Sequence, residues 1–138
     1  MGTAVLSSDA RTTAGILLLA LVAVEVGGVY LLALLRGRAP ATEFQRTFAR
    51  AGHAHAGVLL VLALVCQLLL DATSLTGLPR TLARSGVAFA AILMPAGFFL
   101  SSAGRGKTAP NRLIVLVPVG AVVLALGVVS LGLGLLTA

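Results

Sequence analysis

Few side chains in this 138-residue chain can do chemistry. Both histidines, His53 and His55, stand in the run Gly52-His-Ala-His-Ala-Gly57, and a single acid, Glu25, interrupts an apolar stretch. Imidazole nitrogens ligate metals and haem and pass protons. A carboxyl inside an apolar helix is costly unless it is neutral or paired, which makes Glu25 a candidate proton or cation site.

Residues two apart on a helix point about 160–200° away from each other. His53 and His55 therefore cannot both ligate one metal from a regular helix. His53 shares a stripe with Arg46, Gly57, Gln67 and Asp71 and is expected to look into the protein, while His55 falls on the opposite side, near Cys66. The bland alternative for both is an interfacial histidine bonded to a nearby carbonyl or to lipid phosphate. A haem or metal is expected only if a second chain supplies ligands, or if the helix start around Gly52 and Gly57 is unwound. Met94, the other haem-ligand type, is deeper by roughly 9 Å of helix rise. Glu25 lies ~16 Å along its helix from Arg36, level with Met94 and Pro95, so the carbonyl of Ala91, loosened by Pro95, is its expected acceptor. Rise alone leaves roughly 10 Å between the levels of Glu25 and His53. Gln67 is a further candidate site residue, and Gln67 and Asp71 are expected to cross-link the helices. No Ser/His/Asp set, zinc spacing or phosphate-cradling loop is present, so no catalytic or metal-binding residue is assigned and the chain is not expected to be an enzyme.

The elements that must position these residues follow from hydropathy. The chain is 59% hydrophobic and only 10% charged, against about 25% charged in soluble domains. It cannot cover a soluble fold with polar surface. Four apolar runs, at about 14–35, 53–71, 82–102 and 113–136, each approach the ~20 residues that cross a bilayer. The expectation is an all-α integral membrane protein, a single membrane domain over 1–138, built as an up-down-up-down four-transmembrane-helix bundle. Thr42 and Gln45 form a capping box at the start of a short amphipathic lead-in, 43–52, that continues into the second span. Thr12 or Thr13 is expected to cap the first helix, with residues 1–13 poorly ordered; Thr108 and Pro110 suit the start of the fourth, and 71–79 reads as a turn. Pro95 is expected to kink the third. No signal peptide, myristoylation site or soluble domain is expected.

The net charge of +6 is carried by loops. Arg36, Arg38, Arg46, Arg50, Arg105, Lys107 and Arg112 fall on one side, and Arg11, Arg80 and Arg84 on the other. By the positive-inside rule, loops 36–52 and 103–112 are cytoplasmic and both termini outside, in what is expected to be a bacterial cytoplasmic membrane. Arg46, Arg50, Arg105, Lys107 and Arg112 are expected to meet lipid headgroups, and nucleic acid is not an expected partner. Gly120, Gly127 and Gly134 recur every seven residues, and Gly86, Ala90, Gly97, Ser101 and Gly104 form a second small-residue stripe. Such stripes let helices approach closely; they serve either the chain's own bundle or an interface with a second copy or partner.

A histidine at the mouth of a span, followed by a small residue, resembles the haem-copper oxidase and nitric-oxide-response membrane families over a few residues, although their larger histidine set is absent. Val24-Glu25-Val26-Gly27 in a first span also resembles the small multidrug-resistance transporters, which implies cation transport. The chain departs from them in having no Trp, and only Tyr30 as an aromatic in that span. Three function classes follow: an accessory or interaction subunit of a larger membrane complex or homo-oligomer, which size and the glycine stripes favour; a proton-coupled transporter or ion pathway using Glu25 and His53; and a haem- or metal-binding protein using His53 or His55 across a chain interface.

Overall fold

The computed structural model describes residues 6–138. Among these residues all regular structure is helical: α1 (Ser8–Leu35), α2 (Glu43–Leu70), α3 (Gly77–Ser101) and α4 (Leu116–Leu136), the last led in by a 3-10 turn, Arg112–Val115. Each of the four, with that lead-in counted, is long and apolar enough to cross a membrane, and the described residues contain no strand.

Local chemistry sets the helix ends, and it corrects several expectations. The cap of α1 is Ser7, whose hydroxyl accepts from the Ala10 N–H at 3.3 Å. Thr12 instead donates its hydroxyl to the Ser8 carbonyl at 3.0 Å. Residues 8–13, expected to be poorly ordered, are therefore the first turns of α1; residues 1–5 lie outside the described residues. α2 opens on the anticipated capping box. The Gln45 N–H donates to the Thr42 hydroxyl and the Thr42 N–H donates to the Gln45 side chain, both at 3.2 Å. The helix then runs unbroken through Gly52 and Gly57, so the start of the second span is not unwound. Its lead-in is part of the packed body, with Ala49 and Gly52 buried. α3 starts at Gly77, where a φ of +58° suits glycine, ahead of the expected 82. Pro79 falls in its first turn, where the missing N–H has no helical partner to lose. The helix continues through Pro95. The α4 lead-in is capped by Asn111, whose side chain accepts from the Leu113 N–H at 2.8 Å, rather than by Thr108.

Consecutive helices pack on one another, with a lighter contact between α2 and α4. The core lies along α2 and α3, from Leu59, Ala63 and Leu70 to Val87, Ala90 and Met94, with Leu17 and Leu131 reaching in from either side. The glycine stripes fall between α3 and α4. A β-carbon on Gly86 would stand 2.9 Å from the Gly127 Cα, and one on Gly127 would stand 3.0 Å from the Leu82 carbonyl oxygen. Gly120 is covered by Met94, Gly97 by Val117 and Gly134 by Leu75. Gly104 lies beyond α3, in a loop at a φ of +112°, and so drops out of the stripe.

Backbone atoms cannot retreat from an added side chain, so Gly127→Val is expected to cost about 1–3 kcal/mol. Gly132→Val lies on the same helix, and its added carbon would meet nothing within 4 Å; it should stay within about 0.5 kcal/mol of the parent. Denaturant unfolding of the two variants in detergent measures the difference, and equal effects would refute the close α3–α4 approach.

Candidate functional site

Helix α1 buries only Ala10, Leu17 and Leu34. Its Glu25 is exposed and makes no hydrogen bond or ion pair with any described residue. The carboxyl was expected to reach the Ala91 carbonyl inside the bundle. It cannot, because α1 packs along α2 and not along α3, and Glu25 lies on its uncovered flank. There it interrupts a stripe of exposed apolar side chains, Leu18, Val22, Val29 and Leu32. The steps through Glu25 alternate four and three residues, which is the spacing of a helix-packing seam.

His53 is half-buried and faces α1. Its Nδ1 lies 3.4 Å from where a Gly27 side chain would begin, and its Nε2 lies 3.7 Å from that of Gly28. The two glycines make room for the ring. Gly27 and Gly28 are two and three residues beyond Glu25, about 3–4.5 Å of rise. Residues three apart have β-carbons about 5–6 Å apart, so Glu25 and His53 stand at nearly one level and not the roughly 10 Å apart that rise alone suggested. What helix rise alone does not give is the register of α1 against α2; the glycine pair opposite a histidine is the available signal.

His55 turns away from His53, as the two-residue step requires. Its ring lies 5.0 Å from that of Phe98 on α3. Its Nδ1 is 2.8 Å from the Ala51 carbonyl, which can only accept, so Nδ1 donates there. Met94 packs against Gly120 rather than toward either histidine. Among the described residues no three His, Cys, Asp or Glu side chains gather as a metal site. Cys66 is buried and free.

A second polar group gathers at one end of the bundle. Gln67, fully buried, donates its amide to the Arg84 carbonyl at 2.8 Å and so joins α2 to α3. Its Oε1 and the Arg84 Nη2 are buried without partners. Arg84 reaches Asp9 at 2.8 Å and Arg80 reaches Asp71 at 3.6 Å. Asp71 accepts from the Ser7 backbone N–H at 2.8 Å and from the Ser7 hydroxyl at 3.0 Å, which ties the start of α1 to the end of α2.

The opposite end carries the cations. The Gln45 amide donates to the carbonyls of Ser102 and Gly104, at 2.9 and 2.6 Å, and the Thr42 hydroxyl donates to that of Lys107. These bonds hold the 102–107 loop against the start of α2. Arg50 lies 3.9 Å from Glu43, whereas Arg36, Arg38, Arg46, Arg105, Lys107 and Arg112 have no acidic partner among the described residues.

No family model matches the sequence, and neither a curated protein nor a solved structure matches it. The likenesses to transporter and haem families therefore rest on their few motif residues alone.

The Ser7 backbone N–H holds the Asp71 carboxyl below the usual carboxylate range. Burial opposes this, while the Ser7 hydroxyl, Arg80 and Arg84 reinforce it. A lowered folded-state value means that the stabilisation is complete above the unfolded carboxylate value. It is lost as pH falls below about 4, through the depressed value. Unfolding midpoints measured from pH 6 downward should decline there, and Asp71→Asn should make that decline shallower. An identical slope in the variant would contradict the Ser7–Asp71 tie.

Proposed function

We propose that this is a small four-span membrane protein that acts as an interaction subunit of a larger membrane assembly, docking through the outer face of α1. The observation that carries the reading is Glu25, exposed at the centre of the Leu18–Val22–Val29–Leu32 stripe. Lipid tails suit the apolar side chains of that stripe but not the carboxyl. The outer face of α4 makes the contrast: Val122, Val129 and Leu133 are equally exposed and no acid lies among them. Lipid alone covers α4 without cost. On α1 a neighbouring helix that offers a hydrogen-bond donor or cation opposite Glu25 removes the penalty and fixes the register. The partner is a different membrane chain or a second copy of this one. The reading assigns the chain no catalysis. The excess of cations around 36–52 and 103–112 supports placing that end in the cytoplasm.

The chain is expected to remain with membranes through carbonate washing. A photo-crosslinking residue at Val22 or Val29 should give a discrete protein adduct in native membranes that Glu25→Leu abolishes, while one at Val122 should give lipid adducts only. Lipid adducts alone from all three positions would refute docking through α1.

A second reading is favoured by the placement of His53 against Gly27 and Gly28. An imidazole in the α1–α2 seam and an acid at nearly the same level on the open flank of α1 are the parts of a proton relay. In liposomes, Glu25→Gln and His53→Gln should each lower proton flux by about tenfold or more. Flux that is absent in the parent chain, or equal in all three proteins, removes this reading.

A further inference from the structure

At the cation-rich end a cavity of about 320 Å³ opens between α1, the start of α2 and the loop after α3. It adjoins a second cavity of about 380 Å³, and Pro40, Ala41, Gln45 and Arg105 line both. The lining of the combined trough is mixed. Tyr30, Ala49 and Phe99 contribute apolar surface, and Arg105 contributes a cation. Gln45 is already committed to the Ser102 and Gly104 carbonyls. The Tyr30 hydroxyl and the Arg105 guanidinium have no hydrogen-bond or acidic partner among the described residues and remain free to donate. Arg46, next to Gln45, has a buried Nε with no acceptor.

A trough lined by apolar surface and an unpaired cation, Arg105, fits a molecule with an anionic head and a hydrocarbon tail. We propose that it is a binding site for one anionic phospholipid. The phosphate lies at Arg105 and the Tyr30 hydroxyl, and the first part of an acyl chain lies along Ala49 and Phe99. Six of the seven cations at this end lack an acidic partner, so an anion supplies charge that the chain does not. The zwitterionic head of phosphatidylcholine brings its own cation and gains less. The inference rests on the membrane reading above but not on docking through α1.

The test reconstitutes the full chain in nanodiscs containing phosphatidylglycerol and phosphatidylcholine, extracts it in mild detergent, and quantifies retained lipid by mass spectrometry. Phosphatidylglycerol should be enriched over its share of the disc. Arg105→Gln should lower its retention about fivefold, the worth of one cation beside anionic lipid. Arg112→Gln, an equal loss of charge outside the trough, should change it less than twofold. Ala41→Leu, which narrows the trough and keeps every charge, should also release the lipid. Equal losses in Arg105→Gln and Arg112→Gln would show diffuse attraction and overturn the site. So would retention unchanged in Ala41→Leu, absence of any preference between the two lipids, or displacement of the lipid by soluble glycerol phosphate. A chain that fails to reconstitute at all overturns the membrane reading itself; one that reconstitutes without preference overturns only the lipid site.

Discussion

The approach of α3 to α4 at Gly86 and Gly127 constrains everything else in the molecule. With no side chain on either residue, the two backbones come close enough that an added carbon on one would collide with main-chain atoms of the other. Dispersion over such a contact is the main attraction available to apolar helices when the surroundings are equally apolar. The chain uses its glycine stripes here, on the last two helices. It lays α2 over the remaining face of α3, where Gly52 meets Phe98 and Phe99. Nothing comparable is left for α1, which rests on α2 with its other faces open.

That asymmetry sets the environment of each polar group. Gln67 lies between α2 and α3, is wholly buried, and spends its amide on holding them together. Asp71, at the end of α2, finds the start of α1 through Ser7. These contacts are internal and complete the fold. Glu25 belongs to the helix that packs mainly on one neighbour, on a flank that no other helix covers. The same side chain placed at the α2–α3 contact would have been a structural hydrogen bond. Its exposure makes it available to something outside the chain, to a proton, or to both.

Much of the architecture was legible because the signals were local. Thr42 and Gln45 announce a helix start that needs no tertiary help, and the seven-residue recurrence of Gly120, Gly127 and Gly134 marks one face by geometry. The opposed directions of His53 and His55 follow from helical pitch alone. Features that depend on neighbours were harder to read. Ser7 displaced Thr12 as the cap of α1, because Asp71 from a distant turn anchors it. Matching levels along the helices point Glu25 inward to the Ala91 carbonyl on α3, but α1 packs along α2 instead. Rise along each helix alone puts Glu25 far from His53, whereas the packed helices set His53 against Gly27 and Gly28. Sequence periodicity gives the direction of a side chain on its own helix. Which helix stands opposite comes from the packing.

The two readings of Glu25 are linked by this packing. A docking helix that covers the Leu18–Leu32 stripe would remove water from the carboxyl, and an acid without water needs a proton or a partner. His53 stands one turn away across the α1–α2 seam and lies within the chain itself. A partner helix would therefore change the surroundings of both groups at once, by closing the open side of α1. Docking and proton exchange at this place need not compete: the face that makes α1 a surface for another chain is also the face through which Glu25 would be reached. In the proposed assembly, the donor or cation that the partner sets opposite the stripe pairs with Glu25 on the same helix that His53 packs against.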